Sequence, residues 1–401
     1  MTQLDRRDFI KRAGAVGLAA AIGGPLLAAC SGSSTVTSAA TATLDGDTRL
    51  RVGYLPITDA TPLLLAHGAG YYADEGLDVD RPTLLRSWPQ VAEAFQSRQV
   101  DLVHLLMPMT VQIRFGQDLP LRIVAWNHTG GSALTVGNEV DTIDDLAGTT
   151  VAVPFWYSIH NIAVQMMFED AGLTPIIEGD ASVADGTVKL VVMAPPDMPP
   201  ALAAGSIAGY IVADPFNALA ELNGIGRVLR FTGDVWLDHA CCVAVMHEDA
   251  IRERPEWAQA TVNALARAQL AARGDRVETA RILSNDGGGY LPQPRAVIER
   301  ALTHYDHGEY VPTGAITHEN WDTDRIGFQP YPYESYTEAL VRNLQRSRVD
   351  GERGFLDALD PVTAHGQLVE ESLIRNAVES LGGPAAFGIE PGYVRAETID
   401  V

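Results

Sequence analysis

The strongest constraint on the fold is an alternation of strand and helix patterns that begins at Arg49. The apolar segment RLRVGYLP precedes a helix pattern through Ala69, and LDVDRPTLL precedes a second helix pattern over residues 90–99. The apolar strand VDLVHLLM follows. This order predicts a parallel sheet covered by helices. In open sheets of this kind ligands bind beyond the carboxyl ends of the strands, where loops and helix starts collect.

A second unit with the same plan begins near Val140. There TIDDLAGTTVAVPFWYSIHNIAVQMMFEDAGL again gives strand, polar turn and helix, with Asp141 and Thr142 as helix caps. The apolar strand HACCVAVM follows later, and from Pro255 onward the pattern is mainly helical. We therefore predict an α/β protein of two lobes with crossings near residues 133–139 and 236–244. Residues 49–136 and 240–401 form lobe 1 with the helical C-terminal region, and residues 137–239 form lobe 2.

The first 29 residues are predicted to be an export signal and not part of the fold. A charged start with adjacent Arg6 and Arg7 precedes an apolar, glycine-rich run, which resembles a twin-arginine signal. The run ends in Leu-Ala-Ala-Cys, which resembles a lipobox in which Cys30 becomes the lipidated first residue of the mature chain. Residues 30–48, rich in Ser, Thr and Ala, are predicted to be a flexible tether. We expect an exported lipoprotein held on the extracellular or periplasmic side of a membrane; an uncleaved anchor is the alternative.

Charge and cysteine content exclude some classes of protein. The net charge of -22 argues against nucleic-acid binding, which needs a basic surface. Cys241 and Cys242 are adjacent and bridge only through a strained ring, so no disulfide framework is expected. We predict that both are small buried apolar residues with no redox role. The chain is predicted to be a monomer.

Motifs of common enzymes are missing from the sequence. Gly-x-Ser-x-Gly, His-Glu-x-x-His, Cys-x-x-Cys pairs and glycine-rich nucleotide fingerprints do not occur. The ten histidines include no helical pair at metal spacing with a third ligand. We therefore predict no catalysis, no cofactor and no metal. An enzyme on this scaffold and a tethered ligand sensor remain as alternatives, because catalytic groups can converge from distant segments.

Four segments together resemble a known family. They are VGYLPITDATPLLLAHGAGYYADEGLDVD, SWPQVAEAFQSRQVDLVHLLMPM, the turn Asp-Pro-Phe-Asn-Ala and the tail DRIGFQPYPYESY. They resemble the nitrate- and bicarbonate-binding proteins of ABC importers, within a wider group that binds sulfonates, taurine and thiamine precursors. The resemblance covers about residues 49–380. It implies a type II periplasmic-binding-protein fold, in which each lobe has a mostly parallel sheet flanked by helices, and a helical C-terminal extension. It also implies delivery of a small solute to a membrane permease driven by a separate ATPase.

The resemblance also implies where a ligand binds. Trp88 matches a tryptophan that forms a wall of the pocket, and Ser132 matches a polar side chain before the first crossing. His160 matches a histidine that opens a helix in the second lobe, and backbone groups at Ala213, before Asp214, complete the ring.

One position departs from the family pattern. Cys242 takes the place of a charged residue, which is a lysine in nitrate binders and an acidic residue in calcium-assisted bicarbonate binders. A neutral thiol can neither pair with an anion as lysine does nor hold a hard cation. The expected solute is therefore nitrate-, bicarbonate- or sulfonate-like, or a small organic molecule. The alternative is a thiamine precursor or another small heteroaromatic compound.

The residues themselves allow two interpretations at several positions. Thr58 and Asp59, after the first strand, cap the following helix, or also face the ligand from that helix start. Trp88, expected in a loop, is either a pocket wall or a packing residue. His104 is predicted to be a core histidine, and the role of His128 stays open. His160 is predicted to contact ligand, because a preceding serine can supply the helix cap.

Overall fold

The computed structural model of the chain describes residue 44 and residues 46–321 and 323–401. The predicted export signal, with Arg6, Arg7 and Cys30, lies outside the described residues, as does most of the predicted tether. Among the described helices none combines the length and the apolar character needed to cross a membrane.

The strands are short and apolar, and most are fully buried. In chain order they are β1 Val52–Tyr54, β2 Thr83–Leu84, β3 Leu102–Leu106, β4 Leu121–Trp126, β5 Thr129–Gly130, β6 Ser132–Val136, β7 Thr150–Val153, β8 Thr174–Ile176, β9 Thr187–Val192, β10 Gly209–Ala213, β11 Arg227–Phe231, β12 Cys242–His247 and β13 Ile326–Gly327.

The strands form two main sheets. The first has the order β2-β1-β3-β12-β4, in which β2, β1 and β3 are parallel and β12 runs antiparallel between β3 and β4. The second has the order β11-β6-β10-β7-β9-β8, in which β10, β7, β9 and β8 are parallel and β6 is antiparallel to both of its neighbours. After the first crossing the chain enters the second sheet through β6, and after the second crossing it returns to the first sheet through β12. The α/β architecture predicted from the alternation of elements is confirmed.

Helices connect the strands and make up most of the C-terminal region. The α-helices are α1 Thr61–Gly68, α2 Tyr71–Asp74, α3 Trp88–Gln96, α4 Met107–Val111, α5 Ile159–Asp170, α6 Met198–Ala203, α7 Phe216–Leu222, α8 Glu248–Glu253, α9 Pro255–Gly274, α10 Arg276–Leu283, α11 Arg295–Thr303, α12 His307–Tyr310, α13 Glu334–Arg346, α14 Gly354–Ala358, α15 Pro361–Leu368 and α16 Glu371–Ser380. A π-helix spans Gln112–Gly116, and 3-10 helices span Thr58–Ala60, Ile143–Leu146, Pro195–Asp197, Thr232–Asp234 and Pro384–Phe387.

Helix starts follow local capping chemistry. Thr142 caps the 3-10 helix Ile143–Leu146 in a capping box with Asp145, at the place the sequence predicts. Ser87 caps α3 by accepting a hydrogen bond from the Gln90 amide, which makes Trp88 the first residue of that helix. The expectation that Trp88 lies in a loop is therefore corrected, because the serine cap starts the helix two residues before the predicted start at residue 90.

The chain crosses between the sheets twice. The first crossing lies between β4 and β6, at residues 127–131, and the second lies between β11 and β12. The first precedes the predicted range of 133–139, because Ser132–Val136 already pairs in the second sheet. After the second crossing, α9 packs on α1 and α16, and α16 packs on β4. The C-terminal helices therefore cover the first sheet. Apolar packing continues from that sheet to β10 and the start of α5, and a separate apolar cluster fills the second sheet.

Candidate functional site

The candidate site lies where the two crossings meet the helix start after β1. Asp59, in the 3-10 helix after β1, approaches His128, which follows β4, with 3.0 Å between Oδ2 and Nε2. The Cys242 thiol donates a hydrogen bond of 3.2 Å to the same carboxylate oxygen. The sulfur of Cys241 lies 4.0 Å from that of Cys242, and all four side chains are fully buried. We call Asp59, His128, Cys241 and Cys242 the buried quartet.

The second sheet contributes a hydrogen-bonded pair beside the buried quartet. Ser132 Oγ, at the start of β6, lies 2.9 Å from His160 Nε2, and the same nitrogen lies 3.8 Å from Cys241 Sγ. His160 is the second residue of α5 because Ser158 caps this helix and accepts a 3.0 Å hydrogen bond from the Asn161 amide. The two halves of the site therefore meet between His160 and Cys241.

Backbone hydrogen bonds join the two sheets next to this pair. The amide and the hydroxyl of Thr58 donate to the carbonyl oxygen of Asp214, at 2.9 and 2.8 Å. Ala213 pairs with Ser132 across β10 and β6. The carboxylate of Asp214 turns toward Arg325, whose Nε and Nη2 donate at 2.6 and 3.1 Å. Asp214 therefore offers its carbonyl group to the opposite sheet, while its charge is neutralised elsewhere.

Trp88 packs on His104 and makes no hydrogen bond to the buried quartet within the described residues. Its ring packs on His104 at 5.5 Å between ring centroids, and it is only 2% exposed. His104 Nε2 accepts a 2.8 Å hydrogen bond from the Leu55 amide, and burial lowers the pKa of His104 to about 3. His104 is therefore the buried, hydrogen-bonded core histidine that the sequence predicts.

Some buried polar atoms at and near the site lack a hydrogen-bond partner among the described residues. The following buried atoms have no hydrogen-bond partner within the described part of the chain: Asp59 Oδ1, Trp88 Nε1, His128 Nδ1, His160 Nδ1 and His239 Nδ1. A buried unpaired polar group costs about 1–3 kcal/mol. Polar groups grouped in this way are suited to bind a small polar molecule or an ion.

The electrostatics of the buried quartet follow from its burial. Burial raises the pKa of Asp59 to about 6, although the neighbouring His128 works against it. Burial disfavours the charged form of His128, but the attraction of the Asp59 carboxylate prevails and raises the pKa of His128 to about 10. These two residues therefore form an ion pair at neutral pH. Burial also disfavours the Cys241 thiolate, yet Cys242 and the nearby imidazoles hold the pKa of Cys241 well below its usual value.

Most of the predicted residues lie together. The group comprises Thr58, Asp59, Ser132, His160, Ala213, Asp214 and Cys242, whereas Trp88 contacts His104. Their roles in binding stay predictions.

Sequence reasoning missed the buried quartet as a unit. Its members come from segments about 70 and 110 residues apart in the chain, and only pairing of β12 with β3 and β4 brings those segments together. It also missed Arg325, which stands in the quoted tail DRIGF. Its partner Asp214 is 111 residues away in the chain, so no local pattern connects the two residues.

Comparisons with known proteins agree with the fold. The profile of the NMT1-like family matches residues 45–284. The nitrate/nitrite binding protein NrtA of Nostoc sp. is 25% identical over 77% of this chain and 76% of that protein. The nitrate import ATP-binding protein NrtC of Synechocystis sp. is 26% identical over 65% of this chain, but the match spans only 40% of that protein. The crystal structure of the periplasmic nitrate-binding protein NrtA from Synechocystis matches with a TM-score of 0.70 and 22% identity, over 88% of this chain and 94% of that one.

The structure therefore has the type II periplasmic-binding-protein fold, with two sheets flanked by helices and a helical C-terminal extension. The predicted resemblance to the nitrate, bicarbonate and sulfonate group is confirmed. The chain belongs to the NMT1-like family, because the family profile covers more than half of its length.

Proposed function

We propose that the protein is the solute-binding component of an ABC importer. It would capture one small polar solute between a lobe built on the first sheet and a lobe built on the second sheet, which includes Ser132–Val136, and deliver the solute to a permease. The observation that carries this proposal is the meeting of Asp59 and Cys242, from the first sheet, with Ser132 and His160, from the second. Similarity to NrtA, itself a nitrate/nitrite binding protein, supports it.

Hinge closure is the proposed mechanism. Each lobe supplies part of the polar group, so a closed form makes contacts with the solute that an open form cannot make. The two hydrogen bonds from Thr58 to the Asp214 carbonyl join the lobes directly. Opening the cleft would break both, and a bound solute would favour the form in which they are present.

The chemistry of the site narrows the class of solute. The side chains that surround Asp59 supply a carboxylate, thiols and imidazoles, and the described contacts of this carboxylate include no lysine or arginine. A nitrate-, bicarbonate- or sulfonate-like anion would therefore rely on protonated imidazole and on amide or hydroxyl donors. A small heteroaromatic molecule, such as a thiamine precursor, would instead donate its ring N–H groups to Asp59, and this carboxylate favours it as the second candidate.

The cellular setting belongs to the same proposal. Export through the twin-arginine signal and lipidation at Cys30 would hold a monomer on the outer face of a membrane. There it would dock on a permease driven by an ATPase. Similarity to the nitrate import ATP-binding protein NrtC supports a partner of this kind.

A thermal-shift screen tests the proposal. The purified protein is heated with nitrate, bicarbonate with and without calcium, alkanesulfonates, cyanate or pyrimidines. A ligand that binds only the folded state raises the melting temperature. The best solute is then titrated against Ser132→Ala and His160→Gln. Each variant should weaken binding about 10- to 100-fold, since a hydrogen bond to a polar or charged solute is worth about 1.5–3 kcal/mol.

Two buried residues outside the site provide matched controls. Ser284 donates to the Arg281 carbonyl, and His365 bonds Thr337. Ser284→Ala and His365→Gln should bind the solute like the wild type. Equal binding by the site variants and the controls would refute the proposed cleft, and chemical conversion of the solute would favour the enzyme alternative.

A further inference from the structure

We propose that the buried quartet binds one thiophilic metal ion of the Zn²⁺ class, with one donor atom from each side chain. This site goes beyond the proposed solute function: it shares Asp59 and Cys242 with the proposed solute site, but binding of the metal does not require import of a solute. It differs from the expectation of no metal, because the four residues come from segments that only the folded sheet brings together.

The spacing of the donor atoms fits a single ion. One donor atom from each residue lies within 4.8 Å of all the others. A tetrahedral Zn²⁺ site has sulfur atoms about 3.8 Å apart and nitrogen and oxygen ligands about 3.3 Å apart, from its usual bond lengths. The Cys241 and Cys242 sulfurs are 4.0 Å apart, and Asp59 Oδ2 lies 3.0 Å from His128 Nε2. These two pairs need to move by only a few tenths of an ångström, and a pair at the 4.8 Å limit would have to close by about 1 Å.

The donor set selects the class of metal. Two sulfurs, one imidazole nitrogen and one carboxylate oxygen are ligands of Zn²⁺ and related thiophilic ions. Ca²⁺ and Mg²⁺ require several oxygen ligands, and the buried quartet has a single carboxylate. All four side chains are fully buried, as in closed four-ligand sites.

Coordination replaces hydrogen bonds that the quartet makes within itself. Any protons that the two cysteines and His128 still carry are released to the buffer, and four bonds to the metal form. The occupied group has a charge of minus one, because Zn²⁺ is bound by two thiolates, one carboxylate and one neutral imidazole. His160 Nε2, 3.8 Å from Cys241 Sγ, is positioned to donate a hydrogen bond to that thiolate.

Metal titration of the reduced, chelator-treated full chain tests the site. Zn²⁺ is titrated in competition with a chromogenic indicator, and Co²⁺ is added in a parallel experiment. We expect one ion per chain, a rise in melting temperature with Zn²⁺, and a thiolate-to-Co²⁺ charge-transfer band. Cys241→Ser/Cys242→Ser should abolish the band and weaken Zn²⁺ binding by more than the roughly 10- to 100-fold that loss of an outer hydrogen-bond partner costs. The double variant retains Cys30, and His365→Gln serves as a buried histidine control.

The outcomes of the metal titration either support or overturn the proposed metal site. A wild type that shows no saturable Zn²⁺ binding and no charge-transfer band overturns the site. So does a double variant with a native circular dichroism spectrum that binds Zn²⁺ like the wild type. If the double variant does not fold, the wild-type stoichiometry and Co²⁺ spectrum decide alone. Solute binding by chelated protein that ignores Zn²⁺ would refute the metal site and leave the importer proposal standing. Zn²⁺ binding without any solute hit would do the reverse.

Discussion

Replacement of Arg325 by methionine should destabilise the protein strongly, because this arginine neutralises two buried carboxylates. Its Nε and Nη2 donate to Asp214 at 2.6 and 3.1 Å, and its Nη1 donates to Glu221 at 3.2 Å. The side chains of Arg325 and Asp214 are each 1% exposed. Methionine keeps much of the apolar stem but leaves the charge of Asp214 unpaired, whereas Glu221 keeps its ion pair with Arg300. Breaking a buried pair in this way costs about 3–5 kcal/mol. That is a large share of the roughly 5–15 kcal/mol typical of a folded domain.

Urea unfolding, followed by tryptophan fluorescence, measures this loss. Arg325→Met/Asp214→Asn should recover up to about 3 kcal/mol, because the amide removes one unpaired charge and keeps an oxygen that can accept from the Ala218 amide. Arg342→Met is the control: Arg342 pairs with Glu338 at 2.7 Å on the exposed face of α13, and its loss should cost less than about 1 kcal/mol. A cost for Arg325→Met no greater than for this control, or no recovery in the double variant, would refute the reasoning.

Further predictions concern single side chains at and near the site. Trp88→Ala should reduce the free energy of unfolding by about 3–5 kcal/mol, because the indole is buried, and Trp88→Phe should lose less in the same urea assay. Ser158→Ala removes the cap of α5 and should lower the free energy of unfolding by about 1 kcal/mol in the urea assay. An unchanged urea midpoint would contradict that capping role. Thr58→Val removes one hydrogen bond between the sheets and should lower the affinity for the best-binding solute about 2- to 10-fold in calorimetric titration. Burial opposes ionisation of Glu221, but Arg325 and its neighbours lower the pKa of Glu221. The ionised Glu221 side chain should therefore stabilise the protein at pH values above its pKa in the unfolded chain, which is about 4.3. This stabilisation should be lost as the pH falls through the lower pKa of Glu221 in the folded protein. The difference in urea midpoint between wild type and Glu221→Gln should therefore shrink in acid.

The order of strands and helices could be predicted from the sequence because it depends on local patterns. Local patterns of a few neighbouring residues indicate the strand β3, the strand β12 that begins at Cys242 and the cap at Thr142. The predicted range of the first crossing, residues 133–139, lies too late in the chain, because local patterns do not show which sheet a strand joins. Pairing of Ser132 with Ala213, a partner about 80 residues away, fixes the actual boundary.

The site could be predicted residue by residue but not as an arrangement. Cys242 and His160 were found through the family resemblance, whereas His128 had no local signal that distinguished a core residue from a ligand contact. Its pairing with Asp59 depends on the juxtaposition of the end of β4 with the start of the helix after β1. The direction of the Asp214 carboxylate likewise depends on Arg325, which is 111 residues away.

A crystal structure of the protein with its best-binding solute tests the central claim most directly. The account predicts electron density for the solute between the sheets, within hydrogen-bond distance of Asp59 or Cys242 on one side and of Ser132 or His160 on the other. Solute density on the outer surface, or in contact with residues of one sheet alone, would contradict it.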